Sequence, residues 1–207
     1  MSAASRKPWP LRWIVLTILL VIVPYTILTL KFRKPGHAFE PYADMKAQAN
    51  VNRLLDAGYR RLTLPAERPA VPYPAATLNR GKPAQSIPAP GGLPTPLGET
   101  LVEIPRMPAA YRELTAPAEI NTLQPAQIQF VCQVDSDKEQ LGGADIFLHD
   151  SSVVIVPYFE TIVGALQVRT RDSVVLITLP AGLLPVGAHT VTLAGARESL
   201  RWTLQVR

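Results

Sequence analysis

Cysteine is nearly absent from this chain, with one in 207 residues. That excludes an intramolecular disulfide and a structural zinc site built on cysteines. Charge is also sparse, at 18% against roughly 25% in an average soluble domain. The three histidines, His37, His149 and His189, come from different regions and lack metal-ligand spacing. No phosphate loop, dinucleotide fingerprint or haem-attachment motif occurs. No period repeats along the chain, which excludes a repeat array. No catalytic, cofactor-binding or metal-ligating residue is therefore assigned from the sequence.

Proline is what the chain has in excess: 21 residues, about twice the usual share of roughly 5%. Thirteen of them fall between Pro65 and Pro125, and only Pro157, Pro180 and Pro185 follow. Charge is partitioned as well. Residues 1–61 hold ten Lys/Arg and three Asp/Glu, a net of +7; residues 62–125 hold five of each; residues 126–207 hold six and eight, a net of −2. A nucleic-acid-binding domain carries its positive charge on the folded part. Here the expected folded part is slightly acidic, so no nucleic-acid partner is expected.

Residues 13–30 read WIVLTILLVIVPYTILTL, uncharged between Arg12 and Lys31. Eighteen helical residues rise about 27 Å, near the roughly 30 Å hydrocarbon core of a bilayer. Trp9 and Trp13 suit one interface, and Lys31, Arg33 and Lys34 can snorkel at the other. No small-residue cleavage site follows. The expectation is a single uncleaved transmembrane helix over 13–30, preceded by a cytoplasmic tail, 1–12. Flanking cations tie across the span, so orientation rests on the short N-terminal tail staying inside.

Residues 31–61 form a juxtamembrane segment. Pro41 suits a first helical turn and Gly58 the position just past a helix end, which predicts a helix over 41–57. Met45, Ala49, Val51, Leu54 and Leu55 supply a thin apolar stripe that fits a partner protein or a plain spacer better than strong lipid binding. From 62 to 125 the scattered prolines predict an extended linker. Its island Gly98–Pro105 could form a short edge strand. The Pro69 to Pro72 spacing arises by chance at this proline density and is assigned no recognition role.

At Ala126 the pattern changes to period two. Ile128, Phe130, Cys132 and Val134 alternate with glutamines. Strands are also read in ADIFLHD after a Gly142–Gly143 turn, in SSVVIVPYF, GALQVRTR, DSVVLITLP and AHTVTLAG, and in ESLRWTLQVR. The continuous apolar run of SSVVIVPYF fits a strand covered on both faces or lying near an edge. Seven short strands in about 80 residues, joined by turn signals, predict an all-β antiparallel sandwich over 126–207.

The run Leu184-Pro-Val-Gly-Ala-His-Thr-Val-Thr-Leu193 resembles the L-x-x-G-x-Y-x-V/L-x-L run of immunoglobulin-like and early-set domains, with His189 where that family has its corner tyrosine. The resemblance implies an Ig-like sandwich in which this run enters the penultimate strand. It implies no particular activity, because the fold hosts many. The antibody-type cysteine pair is missing.

Chemistry is hard to place on this frame. Cys132 lies in phase with core residues and reads as a buried, inert thiol. His149-Asp150 beside Ser151-Ser152 cannot supply the converging geometry of a triad from adjacent positions, and reads as a hairpin turn. Asp135, Asp137 and Glu139 open like a calcium loop, but Gln140 and Ile146 stand where glycine and glutamate are required. A weak calcium site with Asp145 is the residual option. Tyr158-Phe159 is the one adjacent aromatic pair. The expected function is a non-enzymatic bitopic protein of a bacterial envelope, C-terminal domain outside the inner membrane. It would serve as scaffold or accessory subunit of a membrane complex, its partners being the lipid bilayer and membrane proteins. The alternative is a tethered module for envelope glycan or a small ligand.

Overall fold

A computed structural model describes residues 11–32, 41–78, 82–133, 136–162, 164 and 171–207. The chain divides into two compact units, Met1–Asp44 and Met45–Arg207.

The first unit contains α1 (Leu11–Phe32) and the start of α2 (Pro41–Asp56). Along α1 the apolar side chains of 15–29 are exposed all round. Its threonines spend their hydroxyls on their own helix: Thr17 donates to Trp13 O at 2.8 Å, Thr26 to Ile22 O at 2.8 Å and Thr29 to Tyr25 O at 2.7 Å. The transmembrane expectation over 13–30 is corrected here: among the described residues no helix is long and apolar enough to cross a membrane.

The second unit is a β-sandwich with a helical cover on one side. Its elements after α2 are β1 (Arg60–Pro65), α3 (Ala75–Leu78), β2 (Ile87–Pro90), α4 (Thr95–Thr100), β3 (Tyr111–Thr115), β4 (Glu119–Ile120), β5 (Ala126–Gln133), β6 (Glu139–His149), β7 (Ser152–Thr161), β8 (Asp172–Leu179), β9 (Gly187–Leu193) and β10 (Glu198–Val206). One sheet runs β1-β6-β7-β9-β10-β2, with β4 also on β10; the other runs β3-β5-β8. Between them Ile128, Phe130 and Cys132 of β5 and Val175 and Ile177 of β8 meet Ile146, Ile155, Val191, Trp202 and Leu204. The period-two pattern therefore points one set of side chains of each strand into a single core.

The larger sheet is buried on its other face too. Phe147, Val154 and Val156 pack there with Leu54 of α2, Tyr59, Leu97 of α4, and Leu101. This explains the unbroken apolar run of β7: Val153 and Ile155 face the other sheet, Val154 and Val156 the helices. Pro157 sits beyond the β7–β9 ladder, which ends at Ile155–Leu193, so its missing N–H costs that ladder nothing.

Six of the seven expected strands are β5 to β10; most of GALQVRTR falls outside the described residues. Four expectations change. The sandwich is mixed: β7 runs parallel to β9, and β4 to β10. The long connection a parallel pair needs passes through β8 in the opposite sheet. Gly142–Gly143 is no turn but the interior of β6, at a bulge opposite β7. And the Pro-rich stalk is not free. It supplies β1, β2, β3 and β4 to the two sheets and α4 to the outer layer. In β2, Ile87 and Ala89 alternate with Pro88 and Pro90 against β10; the prolines share one parity, so their missing N–H groups face away from the ladder. The island Gly98–Pro105 is the end of α4 and a loop, not a strand.

Candidate functional site

The end of α2 builds a marked surface feature. Gly58 N–H donates to Leu55 O at 3.0 Å and Tyr59 N–H to Leu54 O at 2.8 Å. This is a Schellman stop, with Gly58 at φ 76°. The hydrophobic contact that accompanies such stops is present as well: Leu54 and Tyr59 are buried in the same cluster. Three ties fix the helix to α4 and the segment after it: Arg53 Nη2 to Glu99 O at 2.7 Å, Val102 N–H to Asn50 Oδ1 at 3.2 Å, and an ion pair of Lys46 with Glu103.

With Leu54 turned inward, Val51 and Leu55 are left facing out, 42% and 62% exposed. Between them and β1 lies a groove of about 370 Å³, lined by Val51, Leu54, Leu55, Tyr59, Arg61 and Thr63. Its apolar wall is α2; its polar floor is β1. There Asp145, nearly buried, accepts from Arg61 Nη2 at 2.7 Å and from Thr63 Oγ1 at 2.5 Å. The Arg61 guanidinium also lies 6.0 Å from the Phe147 ring centre. Tyr59, which also lines the groove, packs against His149, ring centres 4.7 Å apart and planes tilted by 31°, and burial pushes the Tyr59 hydroxyl upward. No motif announced this groove. The Gly58 stop and the exposed members of the α2 stripe were its only sequence traces.

The residues singled out from sequence do not converge. His149 and Asp150 end a two-residue hairpin, Asp150 at φ 51°, which aspartate tolerates; His149 is engaged by Tyr59 instead. The acidic residues are taken by separate arginines: Asp137 by Arg171 at 3.0 Å, Glu139 by Arg106, Asp145 by Arg61. Asp135 and His37 lie outside the described residues. Among the described residues no group of three or more His, Cys, Asp and Glu could hold a metal. Phe159 of the aromatic pair is half-buried beneath Arg106.

His189 is 3% exposed, and its Nε2 lies 2.8 Å from Pro185 O. A carbonyl only accepts, so Nε2 carries the hydrogen. His189 thus reaches back to the backbone four residues upstream, as a corner tyrosine does. Its Nδ1 and the neighbouring Trp202 Nε1 are buried without a hydrogen-bond partner.

Cys132 is fully buried, and burial, with Asp172 adding to it, pushes its thiol up to about 12. Burial also raises Tyr111 well above the usual phenol range, with Cys132 as a second cause; its hydroxyl donates to Ala194 O at 2.5 Å. A group whose pKa rises on folding contributes stability fully below its unfolded value. Here that contribution is lost as pH climbs from about 9, the unfolded thiol, through about 12. Thermal midpoints measured between pH 7 and 12 are expected to fall over that window. At pH 8 a thiol reagent should leave the native protein unmodified and label one cysteine once the protein is denatured. Labelling of the native chain at the free-thiol rate would contradict the burial.

Fold and site together define a class: a β-sandwich covered by helices on one face, carrying a groove between α2 and β1. No family model, no curated protein and no solved structure matches the chain.

Proposed function

We propose that this protein is a non-enzymatic interaction module of a bacterial envelope complex, a scaffold or accessory subunit whose docking surface is the α2–β1 groove. The observation that carries this reading is the groove itself: exposed Val51 and Leu55 beside a fixed polar floor. Apolar side chains held on a rigid element and rimmed by satisfied polar groups are what a protein interface core requires. Asp137, Glu139 and Asp145 are tied up in ion pairs with arginines, which suits a binding role better than proton transfer. The exposed apolar side chains of α1 suit an apolar environment; the bacterial envelope, outside the inner membrane, is the setting we infer. The Ig-like assignment belongs here too. The His189–Pro185 bond favours it, and the parallel β7–β9 pair departs from the antiparallel sheets of that fold.

The test is partner capture with a mapped surface. The full chain is purified in mild detergent from its native host and the co-migrating proteins are identified. Leu55→Asp is expected to remove a specific partner, since a charge in a docking core costs on the order of 2 kcal/mol or more, while Val186→Asp on a distant exposed loop retains it. A partner indifferent to Leu55→Asp, or none at all, would overturn the reading.

A further inference from the structure

The groove is bounded by a sheet edge, and the hydrogen-bond register of that edge is legible. Ala66 N–H donates to Gly142 O at 3.2 Å, so the even residues of β1 aim their backbone groups at β6. The odd residues, Arg61, Thr63 and Pro65, aim theirs outward. The next odd residue, Glu67, is already sealed: its N–H and C=O both pair with Leu176 of β8, each at 2.9 Å. The β2 edge is blocked by its two prolines. The outward edge of β1 therefore presents two N–H groups, of Arg61 and Thr63, and three carbonyls, because Pro65 has no N–H.

We propose that this edge pairs antiparallel with the same edge of a second copy of the chain, about a two-fold axis at Thr63. The inference rests on the reading of the α2–β1 groove as an interaction surface. It is favoured by the self-complementarity of the edge. With Thr63 opposite the Thr63 of the second copy, the two exchange both hydrogen bonds. Arg61 then falls opposite Pro65, so the Arg61 N–H meets a carbonyl and the missing N–H of Pro65 leaves only one acceptor, Arg61 O, without a donor. Every outward N–H of both edges is satisfied. The charges fit as well. The two Arg61 side chains are four residues apart along the seam, about 13 Å, beyond the roughly 8 Å screening length at physiological salt. An axis perpendicular to the sheet keeps both α2 helices on one face, so Val51 and Leu55 of each copy line the same seam. Such an interface is isologous and closed, which forestalls the open-ended edge pairing that leads to aggregation.

Sedimentation equilibrium of the full chain in density-matched detergent tests this. The wild-type protein is expected to be a dimer and Thr63→Pro a monomer with unchanged far-UV circular dichroism; the substituted N–H faces outward, so the ladder to β6 is kept. In a second measurement Thr63→Cys is expected to oxidise to a covalent dimer, because hydrogen-bonded cross-strand Cα atoms lie about 5.5 Å apart, within disulfide range. Arg61→Cys, about 13 Å from its mate, is not. A monomeric wild type, a dimeric Thr63→Pro, or equal cross-linking at both positions overturns the proposal. If Thr63→Pro does not fold, the cysteine pair decides alone. A monomeric chain that still holds a partner sensitive to Leu55→Asp would sink the two-fold pairing and leave the docking reading standing.

Discussion

Leu97→Ala is expected to destabilise the protein by about 2–5 kcal/mol, the range for emptying a fully buried leucine site. Leu97 has no exposed surface and packs with Phe147, Val154, Val156 and Ala194. It comes from the short α4, whose Leu101 N–H closes the turn on Leu97 O at 3.1 Å, so the lost volume cannot be refilled by sliding a long helix. For a chain of this size each kcal/mol lowers the thermal midpoint by roughly 2–4 °C. Thermal or denaturant unfolding of the full chain measures it. The prediction is discriminating because Leu97 lies in the middle of the proline-rich segment. Were 62–125 a free stalk, the substitution would change stability by no more than about 0.5 kcal/mol. A neutral result would restore the stalk.

The contrast shows where sequence reading succeeds. The helix expected over 41–57 is α2, ending at Asp56, because a Pro at its start and a Gly just past its end are local signals. The strands from 126 onward follow from alternation that each strand carries within itself. The elements of 62–125 carry no such signal. They are two to six residues long, too short to show a period, and are held by partners far along the chain: β2 by β10, β4 by β10, Leu97 by β7. Proline argued against central strands there, rightly, and against helices, wrongly: α3 and α4 both form, with Pro96 in the first turn of α4, where a missing N–H costs nothing. What it could not show is that edge strands accept proline wherever its missing N–H faces away from the ladder. The groove was half legible: the stripe of α2 was visible, and its division into inward Leu54 and outward Val51 and Leu55 required β1 and β6 to be placed.

Gly143→Ala is expected to be as damaging, by about 3 kcal/mol, at the upper end for overpacking. A Cβ at Gly143 would stand 2.2 Å from Leu64 O and 2.7 Å from the Tyr158 hydroxyl. The first is backbone of the facing strand and cannot rotate away. Relief requires β1 to move off β6, where Pro65 and Gly143 are paired. The neighbouring Gly142 is the control. The three atoms nearest its Cβ all belong to the exposed Glu160 side chain, closest at Cδ and Oε1, which can swing into solvent, so Gly142→Ala should cost no more than about 1 kcal/mol. Two glycines that look alike in the sequence, and read together as a turn, thus differ in what they permit. Unfolding midpoints of the two variants check the stability difference. The consequence reaches the surface proposed for docking, because Arg61 and Thr63 are held over Asp145 by the same β1–β6 ladder. Gly143→Ala should therefore loosen partner binding at temperatures where the protein is still folded, and Gly142→Ala should not. Equal effects of the two substitutions would mean that β1 does not lie against β6 as closely as the structure places it.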